Sequence, residues 1–181
     1  MSGSERVPYR AAAVAGPWDE IVRLPVAVLL DNVRSLYNVG AFFRTLDAVG
    51  GSRMYLSGIT ATPQHPRLAK TALGAEAAVA WETVGDPDGL LDRLRAEGTE
   101  VAAVETSTPA LDLFDWKPVF PVCVVFGHEV QGIRPALLER CDTHVRIPML
   151  GRKQSLNVAT AGGVVLYELL RRYRTALAGR G

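Results

Sequence analysis

Three polar, glycine-containing segments hold the side chains of this chain that could do chemistry together. Asn38-Val39-Gly40-Ala41-Phe42-Phe43-Arg44-Thr45 carries an amide and a guanidinium. As a helix, with Val39, Phe42, Phe43 and Leu46 turned to a core, it leaves Arg44 on the opposite stripe with Gly40 and Asp47. An arginine one turn beyond a glycine, near a helix start, reaches across uncrowded backbone toward an anionic or hydroxyl ligand. The plainer alternative makes Asn38 a helix N-cap and pairs Arg44 with Asp47 at the surface. Gly127-His128-Glu129-Val130-Gln131-Gly132-Ile133 sets a carboxylate between glycines, which allow tight turns and close ligand approach. Glu129 is then either an acceptor toward a ligand or the loop, or a solvated charge. Pro148–Asn157 leads into a long helix. Ser155 is its candidate N-cap, leaving backbone amides free for an anion, and Asn157 either caps or points at a ligand. Capping accounts for one of these two residues, not for both lying beside Arg152-Lys153.

Several chemistries are excluded by what these segments lack. His128-Glu129 begins a zinc-protease motif, but the second histidine it needs is replaced by Gly132. There is no phosphate-binding Walker sequence, no dinucleotide glycine fingerprint, and no serine in a glycine elbow. His65, His128 and His144 have no metal-ligand spacing, so no metal is expected and each histidine is assigned a structural role.

Each of the three segments follows an apolar run: Val26–Leu30, Val122–Phe126 and His144–Ile147. Ligands of open, mostly parallel α/β sheets sit beyond the carboxyl ends of the strands, so the three loops are expected to form one composite site. The rest of the chain alternates in the same way. Strands are expected at Arg53–Leu56, Ala77–Trp81, Glu100–Val104 and Val119–Phe126. Helices are expected at Asn38–Val49, His65–Leu73, Pro87–Ala96, Pro135–Cys141 and Ser155–Leu177. The stretch around Pro109, Trp116 and Pro118 reads as irregular. This alternation implies an α/β fold with a mainly parallel sheet and helices on both faces. Within the long helix, Ala159–Gly163 is a run of small residues, suited either to tight packing on its own sheet or to a subunit contact.

A length of 181 residues is one domain's worth. Residues 1–20 read as a loosely held arm and 21–181 as a single domain. The net charge of +1 argues mildly against a purely electrostatic nucleic-acid binder, although a local basic patch would not appear in the total. Two cysteines, Cys123 and Cys141, make no disulfide framework and read as free thiols of a reducing cytoplasm. The apolar stretch after Arg10 is too short for a signal peptide, and no segment reads as a membrane span.

Taken together, the three segments resemble the motifs of the SpoU/TrmH branch of the SPOUT RNA methyltransferases. Motif 1 is matched by Asp31-Asn32 and Asn38–Gly50, motif 2 by Phe126–Ile133. Motif 3 is matched by Ile147-Pro148-Met149 and Gln154–Ala159, continuing to Tyr167-Glu168. Order and spacing agree from Val26 to the end. One departure is Val33-Arg34-Ser35 after Asn32, where the family often has a proline. The chain also leaves no room for the extra N-terminal RNA-binding domain of some members. The resemblance implies transfer of a methyl group from S-adenosylmethionine to a ribose 2′-hydroxyl of tRNA or rRNA. It implies a homodimer and a C-terminal trefoil knot as well; general rules alone, by which knots are rare, would give an unknotted doubly wound sheet. Carried onto matching positions, Asn38, Arg44, Glu129, Ser155 and Asn157 form the catalytic group. Gly127, Ile147, Met149, Leu156 and Asn157 line the cofactor. Arg34, Arg44, Arg152 and Lys153 lead the candidate RNA contacts, with Arg6, Arg10, Arg53, Arg67 and Lys70 behind them. A catalytically silent RNA-binding or assembly protein with the same fold is the alternative.

Overall fold

The computed structural model describes residues 23–106 and 110–179; the expected arm over residues 1–20, with Arg6 and Arg10, lies outside them. In chain order the elements are β1 (Leu24–Asp31), α1 (Leu36–Ala48), β2 (Gly51–Ser57), α2 (Pro66–Ala72), α3 (Ala75–Ala78), β3 (Trp81–Val84) and α4 (Pro87–Ala96). They continue with β4 (Glu100–Val104), β5 (Leu111–Asp112), β6 (Val122–Phe126), α5 (Pro135–Leu138), β7 (Thr143–Arg146) and α6 (Val158–Ala178). The seven strands among the described residues join one sheet in the order β3-β2-β1-β6-β4-β7-β5, and every pairing between them is parallel.

Alternation along β1 divides the core. Val26, Val28 and Leu30 face a cluster that includes Phe42 and Phe43 of α1, Leu68 of α2 and Leu166 of α6. Ala27 and Leu29 face Leu90, Leu91 and Leu94 of α4 and Leu137 of α5. A strand covered on both faces must be apolar at every position, which is why Val26–Leu30 is an unbroken apolar run. The small residues of α6 serve close packing within the chain at one point: Gly162 is buried, and a Cβ there would overlap the Phe42 ring. Gly40 meets Thr71 of α2 in the same way. Among the described residues no helix is long and apolar enough to cross a membrane.

Several boundaries differ from the sequence reading. The expected strand Ala77–Trp81 is instead the end of α3, a loop and the first residue of β3. Alanine-rich Ala75–Ala78 favours a helical turn, and pairing with β2 begins only where Met54 meets Trp81. α1 starts at Leu36 because the Ser35 side chain, not that of Asn38, caps it by accepting from the Asn38 N–H. α6 starts at Val158 with Asn157, not Ser155, as its cap. β6 begins at Val122 rather than Val119: Pro121 has no N–H to donate, and the Val119 N–H is taken by Glu100. The helix from Pro135 ends at Leu138, short of Cys141. Within the stretch read as irregular, Leu111-Asp112 pairs with Val145-Arg146 as the edge strand.

Candidate active site

The loops after β1 and β6 and the start of α6 meet at the carboxyl end of the sheet, joined by side chains from all three motifs. The Glu129 carboxylate accepts from the backbone N–H of Arg34 at 3.1 Å and of Ser35 at 3.0 Å, and from Asn38 Nδ2 at 3.0 Å. Asn38 Oδ1 in turn accepts from Asn157 Nδ2 at 3.1 Å. Asn157 Oδ1 accepts from the N–H groups of Ala159 and Thr160, at 2.9 and 3.2 Å. Asn157 thus uses its carbonyl as a helix cap, the first of its two readings, and its amide to bond Asn38. Partial burial works against the Glu129 charge. The N–H groups of Ser35 and Arg34 and the Asn38 amide outweigh it and hold the carboxyl below its ordinary range. Glu129 is therefore a charged acceptor fixed by three donors, not a free solvated group.

Beside this chain of hydrogen bonds lies a cleft of about 210 Å³. Gly127, Ile147, Met149 and Leu156, all expected at the cofactor, line it; Asn157, with both ends of its amide engaged elsewhere, is not among its lining residues. Glu129 and Ser155 stand on its wall. Gly127 has no alternative there, since a Cβ would overlap the Gly132 carbonyl across the tight turn that pairs His128 with Gly132. Sequence reasoning missed Val104, Glu105 and Thr106, which form another part of the wall. Glu105 accepts from the Ile133 N–H at 3.1 Å and so ties the end of β4 to the loop after β6. A carboxylate directly after the apolar run Val101–Val104 was the available signal, by the same rule that singled out the other three loops.

Of the remaining candidates, Arg44 is exposed on the outer face of α1 and makes no ion pair or hydrogen bond among the described residues, so the surface pair with Asp47 is not formed. Arg34 is exposed one residue before the α1 cap, Arg152 and Lys153 on the loop before α6. Lys153 lines a second groove of about 560 Å³ that shares Thr106, Ile147 and Met149 with the cleft. Arg53 pairs with Glu82 at 3.2 Å, away from these loops. The three histidines have backbone partners. His65 caps α2, His128 Nδ1 accepts from the Val130 and Gln131 N–H groups, and His144 Nε2 lies 3.0 Å from the Leu138 carbonyl. Among the described residues no cluster of three or more His, Cys, Asp or Glu side chains could hold a metal ion.

A parallel sheet whose strand-end loops pool a fixed carboxylate and two amides beside a cleft is the design of a ligand-binding α/β protein. Residues 25–167 match the model of the SpoU rRNA Methylase family, and the chain belongs to that family. It is similar to the 23S rRNA (uridine(2479)-2'-O)-methyltransferase of Streptomyces viridochromogenes, 32% identical over 177 residues that cover 93% of this chain and 62% of that protein. Among solved structures, the TrmH/SpoU tRNA modifying enzyme of A. aeolicus superposes with a TM-score of 0.77 at 30% identity, over 85% of this chain and 78% of that one. The SpoU methyltransferase AviRb from Streptomyces viridochromogenes, in complex with the cofactor AdoMet, gives a TM-score of 0.77 at 27% identity, over 86% and 60% of the two chains. The chain spans about three-fifths of the length of the first curated relatives it matches.

Proposed function

We propose that this chain is an S-adenosylmethionine-dependent RNA methyltransferase acting on a ribose 2′-hydroxyl of tRNA or rRNA. The observation that carries this reading is the hydrogen-bonded chain Glu129–Asn38–Asn157, which joins all three motifs at the mouth of the cleft. The cleft suits such a cofactor. Phe126, Ile147, Met149, Leu156 and Val158 offer apolar surface to a flat nucleobase, and Gly127 leaves bare backbone for close approach. When bound, S-adenosylmethionine supplies an activated methyl group.

The protein's own task is then to align a weakly acidic hydroxyl and stabilise the charge it develops. Alignment at near-attack distance contributes on the order of 7–11 kcal/mol in favourable cases. Arg44, whose side chain has no partner among the described residues, stabilises the developing alkoxide and holds the adjacent phosphate. A guanidinium does not readily give up its proton, so it serves as a cation and not as the base. Ser155 offers its hydroxyl to the ribose from the cleft wall, Asn38 and Asn157 hold the loops that carry it, and Glu129 fixes the loop geometry and the local charge. Arg34, Arg152 and Lys153 take RNA phosphates. The same reading includes a homodimer, a trefoil knot formed by the segments around β6, β7 and α6, and a cytoplasmic setting. It also takes residues 21–181 as one domain preceded by an arm. These follow from the family resemblance and are consistent with the matched fold.

Calorimetric titration of the purified chain with S-adenosylmethionine is the first test, with saturable binding expected. Mapping the ribose methylations lost from total RNA of a deletion strain then identifies the nucleotide. A chain that binds no methyl donor, with an unaltered methylation map in the deletion strain, contradicts the proposal.

A further inference from the structure

Tyr37 is the most exposed aromatic residue among those described, with 77% of its surface in solvent. It stands in the first turn of α1, next to Asn38, and its hydroxyl has no hydrogen-bond partner among the described residues. Nothing in the packing calls for an aromatic there: Val39, Phe42, Phe43 and Leu46 already supply the buried side of the helix. Positions 37, 41 and 44 share one helical face, so Tyr37, Ala41 and Arg44 form a stripe about 10 Å long. It consists of an aromatic plate, a small gap and a cation. Arg34, just before the helix, adds a second guanidinium without an ion pair among the described residues. The base of this stripe is held rigidly. Glu129 takes the Arg34 and Ser35 N–H groups and the Asn38 amide, so the segment that carries Tyr37 is fixed to the proposed ribose-binding group.

We infer that Tyr37 is a stacking platform for an unpaired RNA base next to the target ribose, with Arg34 and Arg44 taking the phosphates on either side. The inference rests on the functional reading above and gives that site its means of holding single-stranded RNA. Every base presents a π-face, so a stacking tyrosine binds without demanding a sequence, and flanking arginines complement the backbone. The charge pattern favours RNA over a second copy of this chain as the occupant. Arg34 and Arg44 carry two positive charges with no carboxylate paired to either among the described residues, so the stripe complements phosphates.

The test compares two strands of equal length, a fluorescein-labelled single-stranded RNA and a labelled abasic ribose-phosphate strand, by fluorescence anisotropy over a salt series. Tyr37→Ala is expected to weaken binding of the base-bearing strand about tenfold while leaving the abasic strand within about twofold. Its salt dependence stays that of the wild type, and Tyr37→Phe leaves both strands within about twofold. Arg34→Ala weakens both strands and lowers the salt slope by about one. Calorimetry with S-adenosylmethionine and the sedimentation behaviour of Tyr37→Ala match the wild type, since alanine is at home in a helix. Equal losses on both strands, no loss on either, or a shift in subunit association on Tyr37→Ala each overturn the inference; the last would make the residue a subunit contact. A wild-type chain that takes up donor but neither strand overturns the inference alone. One that takes up no donor overturns the functional reading instead.

Discussion

The arginines on the two sides of this molecule live in opposite surroundings. Around α4 and α5 all but the exposed Arg93 face a carboxylate. Arg134 lies 3.3 Å from Asp31 and also pairs with Asp88, Arg140 lies 3.5 Å from Asp88 and 3.4 Å from Asp92, and Arg95 lies 2.7 Å from Asp142. Arg34 before α1, Arg44 further along that helix, and Arg152 and Lys153 on the loop before α6 are exposed and form no ion pair among the described residues. Charges neutralised inside the chain hold its elements together; charges left open beside a cleft are available to an anionic partner. The same residue type is thus paired within the chain on one side and, in the proposed reading, left for RNA on the other, and a net charge of +1 conceals the division.

The comparison breaks most sharply at Arg44. Arg44→Ala is expected to reduce methyl transfer by roughly 10²–10³-fold, the scale seen when one transition-state donor is removed. Donor affinity by calorimetry and melting temperature should stay near wild type. Arg95→Ala is the counterpart: it removes a half-exposed pair with Asp142, so turnover should be unchanged and stability should fall by no more than about 1 kcal/mol. A similar loss of activity in both variants would erase the distinction.

Asn157→Asp separates two functions of one side chain. An aspartate still accepts from the Ala159 and Thr160 N–H groups, so α6 keeps its cap. It sets a carboxylate against Asn38 Oδ1 in place of a donor, so turnover should fall by about tenfold or more while thermal unfolding barely moves. Arg134→Ala should do the reverse. Asp31 is buried, with 3% of its surface exposed, and would lose its cation while keeping the Ser57 hydroxyl and the Asn32 amide. Because Arg134 is partly in solvent, the expected loss is about 1–2 kcal/mol in denaturant unfolding, with donor binding retained.

The smallest effect is one of pH. The Glu129 carboxyl is held below its ordinary range, so the stability it contributes is present in full above about pH 4.3, where the unfolded side chain titrates. That stability is lost as the pH falls through the lower folded value. The difference in melting temperature between wild type and Glu129→Gln should therefore be constant near neutrality and shrink only in acid. A difference that changes between pH 6 and about pH 8 would show that another group is responsible.

How far the sequence could be read follows from where each signal resides. Asn38, Glu129, Ser155 and Asn157 were legible as a group because polar side chains after buried apolar strands stand out; Arg44, named with them through the family resemblance, is not joined to them. The structure links Asn38, Glu129 and Asn157 and sets Ser155 on the cleft wall beside them. The parallel sheet was legible because Val26–Leu30 of β1 and all of β6 have to be apolar at every position. Boundaries set by tertiary partners were not. Two neighbouring polar residues competed for the start of α6, and only the position of Asn38 explains why Asn157 both caps the helix and faces the site. β5 is two residues long and exists through its pairing with β7. Ala77–Val79 lacks a periodicity strong enough to separate a helical turn from a strand end. Glu105 was passed over because its neighbours carry no glycine, although it holds the loop on which Glu129 sits.

The most direct measurement of the central claim is mass spectrometry of nucleosides from unmodified tRNA and rRNA incubated with this chain and methyl-deuterated S-adenosylmethionine. The expected result is the label on the ribose of a single kind of nucleoside, appearing roughly 10²–10³-fold more slowly when Arg44→Ala replaces the wild type. Label on a base, or an undiminished rate of labelling in Arg44→Ala, would contradict the account.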